Sequence, residues 1–99
     1  MNIFVDIDET ICFYDEVERL GYKNAIPNFK NIDKINKLYD LGNKITYWTA
    51  RGTVSKIDYY KLTKEQLLSW ECKHHDLIVG KKPNYDLLIC DKTMRIEEL

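Results

Sequence analysis

The 99 residues carry 15 basic and 16 acidic side chains, a formal net charge of -1, with 44% hydrophobic and 12% aromatic residues. That is the composition of one globular domain near the lower size limit for a single core, neither disordered nor fibrous. A balanced charge gives no general attraction to nucleic acid or an anionic membrane, and no apolar run approaches the roughly 20 residues needed to span a bilayer.

In chain order, residues 2–6 read as a first strand, apolar through Ile3-Phe4-Val5 and closing on Asp6. Residues 11–27 lack regular periodicity and contain Gly21 and Pro27, so they read as a loop or small flap. A helix is expected over 29–41, with Phe29, Ile32, Ile35, Leu38 and Tyr39 at helical spacing, Asn28 as its cap, and Gly42 with Asn43 as its stop. Residues 44–49, β-branched and aromatic, read as a second strand. Thr63 and Gln66 stand at capping-box spacing, which places a second helix from there to about residue 74. Leu77-Ile78-Val79 and Leu87-Leu88-Ile89-Cys90 read as two short strands around a turn at Pro83-Asn84, and 93–99 as a helical turn. Alternating strands and helices predict an α/β domain with a mainly parallel sheet of three or four strands. No repeat, linker or low-complexity segment interrupts residues 1–99.

The three cysteines, Cys12, Cys72 and Cys90, form no C-x-x-C and suit reduced thiols in a cytosol. No basic region precedes a long apolar stretch, so no signal peptide is expected and a cytoplasmic location is. Cys72, His74 and His75 fit no zinc framework and are expected to be structural.

The chemistry concentrates at the end of the first strand, where Asp6 and Asp8 stand at i, i+2 and Thr10 follows. Burying two carboxylates there needs a cation, a hydrogen-bond network or open water. Mg²⁺ is satisfied by one or two carboxylates with phosphate oxygens, and ligands of open α/β sheets bind beyond the carboxyl ends of strands.

A hydrophobic strand followed by Asp-x-Asp-x-Thr resembles the first motif of the haloacid dehalogenase superfamily, mostly phosphatases that form an aspartyl-phosphate. Three further segments occur in the order the resemblance requires. Ile45-Thr46-Tyr47-Trp48-Thr49-Ala50-Arg51 resembles the second motif, Lys82-Pro83 the third, and Leu87-Leu88-Ile89-Cys90-Asp91 the fourth. The wording around Tyr47–Gly52 and Gly80–Asp86 also resembles small bacterial hydrolases of capsular polysaccharide biosynthesis.

The resemblance implies a small Rossmann-like three-layer sandwich over 1–99, without a cap domain. It makes Asp6 the nucleophile, Asp8 the general acid/base, Lys82 the charge-neutralising lysine, and Thr10 a support for the loop. Thr49, Ala50 and Arg51 would bind phosphate, though Arg51 equally suits a surface salt bridge. Mg²⁺ would be held by Asp6, Asp8 and Asp91. Cys90 stands where many relatives carry a second acid; Asp86 reads as a turn residue at the start of that strand. The expected function is Mg²⁺-dependent hydrolysis of a small phosphate monoester, such as a sugar phosphate for surface polysaccharide. An uncapped site needs walls, so a homo-oligomer is expected. The alternatives are a polynucleotide or protein phosphatase and a non-catalytic phosphate- or partner-binding domain.

Overall fold

A computed structural model describes residues 1–15, 21–52, 57–80, 87–89 and 96–99. Lys81, Lys82, Pro83, Asn84, Asp86, Cys90 and Asp91 lie outside the described residues.

The first strand, β1 (Asn2–Asp6), has the expected bounds. Its odd residues Ile3 and Val5 are buried on one face, and register pairs them with Ile45 and Tyr47 of β4 (Lys44–Thr49). On its other side β1 pairs with β6 (Leu87–Ile89), and β4 pairs with β5 (Asp76–Val79). All pairs are parallel, and the order across the sheet is β5-β4-β1-β6. The two strands expected around one turn, β5 and β6, therefore lie at opposite edges. A parallel sheet forbids them from pairing as a hairpin.

The chain steps outward from β1 to β4 to β5 and then reverses to β6. Right-handed crossovers that advance in one direction place their helices on one face. Accordingly Ile32 and Ile35 of α1 (Phe29–Asp40) and Leu67 of α2 (Tyr60–Ser69) join Ile3, Val5, Ile45, Tyr47 and Ile89 in one core. Phe4 and Thr46 are buried on the opposite face. The described helices thus form one of the two outer layers expected of a three-layer sandwich. The Cα radius of gyration, 12.8 Å, is that of a compact domain of this length.

Helix α1 begins as its sequence predicts, with the Asn28 side chain accepting from Asn31 N–H at 3.1 Å. Asn28→Ala should cost about 1 kcal/mol of stability, read as a lower urea midpoint. The helix ends in a Schellman motif: Gly42 N–H donates to Tyr39 O and Asn43 N–H to Leu38 O. Gly42 has φ 95°, a conformation that suits glycine.

Helix α2 differs from expectation at both ends. It starts at Tyr60, whose N–H is held by the Asp58 carboxylate at 2.9 Å, three residues before the expected capping box. It stops at Ser69, with Glu71 at φ 58° in the position glycine usually fills. Glu71 N–H to Leu68 O and Cys72 N–H to Leu67 O complete a second Schellman motif.

Residues 11–27 contain the expected small flap, where β2 (Cys12–Phe13) pairs antiparallel with β3 (Ile26–Pro27). Single 3-10 turns span Tyr22–Asn24 and Ile96–Glu98. Among the described residues no helix is long and apolar enough to cross a membrane.

His75 acts as a strand neighbour: its N–H donates to Ile45 O, and its Nδ1 accepts from Ile45 N–H at 3.0 Å. Its ring stacks on Tyr39, and the His74 ring meets Tyr47 edge-on. Both imidazoles thus brace the start of β4 and the core beside it.

Candidate active site

The strand order reverses at β1, and the carboxyl end of such a strand is where open α/β sheets bind ligands. Asp6 is the last residue of β1, half-buried, with Oδ1 accepting from Ile7 N–H at 2.9 Å. The next residues turn tightly: Thr10 N–H and Ile11 N–H both donate to Ile7 O, and Glu9 takes φ 64°. Glu9 is exposed. Asn31 of α1 fastens this turn by donating Nδ2 to Thr10 O at 3.0 Å. Thr10 is fully buried, and its hydroxyl has no partner among the described residues.

Asp8 is the hub. Its Oδ1 accepts from Arg51 Nη2 at 2.8 Å and from the Tyr14 hydroxyl at 2.5 Å. Its Oδ2 accepts from Arg51 Nε at 3.1 Å and Thr49 Oγ1 at 3.2 Å. Burial alone would push this carboxyl up, but the Arg51 guanidinium, followed by Tyr14 and Thr49, outweighs burial and holds it below the usual aspartate range. The same anion beside the Tyr14 hydroxyl, added to burial, keeps that phenol protonated. Cys12, whose Sγ lies 3.6 Å from Asp8 Oδ1, is pushed up to about 12 by burial and by the Asp8 charge. It remains a neutral thiol.

Thr49 ends β4, next to Asp6 and Asp8, and its Oγ1 also accepts from Arg51 N–H at 3.2 Å. Ala50 follows, exposed. The Arg51 side chain is wholly buried, so the expected alternative of a surface salt bridge is replaced by an interior ion pair. Its second edge faces α2: Nη1 donates to Thr63 Oγ1 at 3.2 Å and Gln66 Oε1 at 2.5 Å. The Tyr22 ring lies 4.8 Å from the guanidinium carbon, a cation–π contact.

The structure therefore brings Asp6, Asp8, Thr10, Thr49, Ala50 and Arg51 to the carboxyl end of the two central strands. Sequence reading missed Tyr14, Tyr22, Thr63 and Gln66. Thr63 and Gln66 were visible as a polar i, i+3 pair, but their spacing also matched a capping box.

Beside Arg51 and Gly52 opens a cavity of about 370 Å³, also lined by Ile57, Asp58, Tyr59, Val79 and Gly80. Gly52 is required there. At φ 84°, a Cβ on it would lie 2.1 Å from Ile57 O.

The donor set offered by Asp6 and the Asp8 backbone is all oxygen, which suits a hard cation such as Mg²⁺. Among the described residues no group of three or more His, Cys, Asp or Glu side chains gathers as a metal cage.

No protein-family model matches the chain, and no curated protein sequence matches it. A crystal structure of a target protein from Vibrio cholerae is similar, with a TM-score of 0.69 and 23% identity over 84% of this chain and 72% of that one. At that identity the likeness is one of fold, and the two proteins share a compact α/β architecture.

Proposed function

We propose that this chain is a small Mg²⁺-dependent phosphohydrolase, similar to the haloacid dehalogenase superfamily and without a cap domain. The observation that carries the reading is the convergence on Asp8 of Thr49 and Arg51, from the neighbouring strand, at the point where strand order reverses. Asp6 attacks phosphorus and forms an aspartyl-phosphate, splitting hydrolysis into two easier steps. Asp8 serves as acid for the leaving oxygen and then as base for the water.

In the free protein Asp8 is held as the anion, the form that deprotonates water. An incoming phosphate ester brings negative charge beside this carboxylate, which raises its proton affinity. That favours the protonated form needed at the leaving group. Thr49, Ala50 and Arg51 hold the phosphate. By the resemblance, Lys82 would screen the charge between Asp6 and the phosphoryl group, and Asp91 would hold the cation together with Asp6 and the Asp8 carbonyl. The cation, when bound, neutralises phosphate charge so that a carboxylate can approach.

The substrate in this reading is a small monoester, such as a sugar phosphate for surface polysaccharide, in the cytoplasm. The cavity beside Arg51 is within the size range of small-molecule sites and offers the organic group a wall. Ile26 and Phe29, 54% and 60% exposed at the flap and the start of α1, favour a second copy packing nearby. One observation favours the runner-up, a non-catalytic phosphate- or partner-binding domain: Arg51 already occupies the Asp8 carboxylate.

A phosphate-release screen over sugar phosphates, nucleotides and phosphopeptides separates these readings. Activity should be greatest on small monoesters, vanish on exhaustive chelation, return with Mg²⁺ and not with Ca²⁺, whose coordination is looser. Full activity after chelation, or none on any ester, would contradict the reading.

A further inference from the structure

Thr63 and Gln66 are buried polar residues on one face of α2, where an apolar pair would pack at lower cost. Their i, i+3 spacing stacks them one turn apart. Each is oriented by a second bond. The Thr63 hydroxyl donates to Tyr59 O at 2.7 Å, so its lone pair faces Arg51 Nη1. The Gln66 amide donates Nε2 to Tyr22 O at 2.7 Å, which turns Oε1 toward the same nitrogen. A guanidinium is planar and rigid, so fixing its Nη1 edge fixes the Nε–Nη2 edge that grips both oxygens of Asp8.

We propose that Thr63 and Gln66 are positioning residues for phosphoryl transfer: from α2 they set the plane of the Arg51 guanidinium and, through it, the carboxylate of Asp8. The inference rests on the phosphatase reading. Asp8 acts on the leaving oxygen, so a misplaced Asp8 harms turnover more than substrate binding. It also harms esters whose leaving group needs a proton more than esters whose leaving group departs as a stable anion.

The test compares Gln66→Met, Thr63→Val and Thr63→Ser with the parent protein, in Mg²⁺, on glycerol phosphate and on dinitrophenyl phosphate. For glycerol phosphate, Gln66→Met and Thr63→Val should lower kcat by about tenfold to a hundredfold with KM little changed. For dinitrophenyl phosphate the loss in kcat/KM, which reports formation of the aspartyl-phosphate and not its hydrolysis, should be much smaller. Thr63→Ser, which keeps the acceptor and the donor, should restore turnover lost in Thr63→Val. Thr63→Val changes only one atom's chemistry, so it reports even if Gln66→Met fails to fold. Equal losses in kcat/KM on both esters would mean a merely structural role and overturn the proposal, as would no loss on either. A parent protein that hydrolyses neither ester would sink the phosphatase reading and this inference with it. An active parent with unaffected variants would sink this inference alone.

Discussion

Asp6→Asn should fold like the parent and lose about a thousandfold or more in kcat, because the amide keeps the shape and removes the attacking charge. The Asp6 carboxylate accepts from Ile7 N–H, and an amide oxygen can do the same, so the strand end need not rearrange. Urea denaturation establishes that the variant is folded, and phosphate release measures the loss. Near-parental turnover in a folded Asp6→Asn would remove Asp6 from the mechanism.

Arg51→Met should be among the most destabilising single changes in the described residues. The side chain is wholly buried, whereas that of Asp8 is 23% exposed. Removing one partner of a buried pair leaves an uncompensated charge, at about 3–5 kcal/mol. Water reaching Asp8 brings the expectation to the low end, about 3 kcal/mol in urea unfolding at neutral pH. Part of that is Thr63 and Gln66 losing their donor.

The pH dependence has a definite sign. In the parent, the folded value for Asp8 lies below the ordinary 3.8, so the pair's contribution is complete above that pH and is lost as pH falls through the folded value. In Arg51→Met only burial, the Tyr14 hydroxyl and Thr49 act on Asp8, so its folded value rises. The stability gap between the two proteins should narrow as pH is lowered. A gap independent of pH would mean that lost packing, not the ion pair, sets the cost.

Much of the scaffold was legible because its signals are local. The apolar run Ile3-Phe4-Val5 closing on Asp6 and the β-branched and aromatic run before Thr49 set the bounds of β1 and β4. Asn28 and Gly42 bracket α1 within one residue of its reading. The second helix was harder for an equally physical reason. Its true start uses an Asp58 side chain rather than the Thr63–Gln66 box, and its stop places Glu71, not glycine, at positive φ. The sheet order was not legible, since nothing in the spacing of two short apolar runs says that β5 and β6 lie at opposite edges.

The candidate site divides the same way. Asp6 and Thr49 end their strands, and Asp8 and Thr10 follow in the turn after β1. Arg51 was identified as a residue of interest, but its burial depends on α2 and the flap. Its partners Thr63 and Gln66 are 12 and 15 residues away and Tyr14 is 37 away, separations that carry no periodic signal.

A covalent phosphoryl group on Asp6 can be trapped by acid quenching during turnover. Parent protein with Mg²⁺ and a good monoester should be quenched within one turnover, digested and weighed. The peptide carrying Asp6 should gain one phosphoryl group, converted by borohydride to homoserine at that position, and absent from Asp6→Asn. A parent protein that turns over with no acid-trapped phosphoryl group, or with one on another residue, would contradict it.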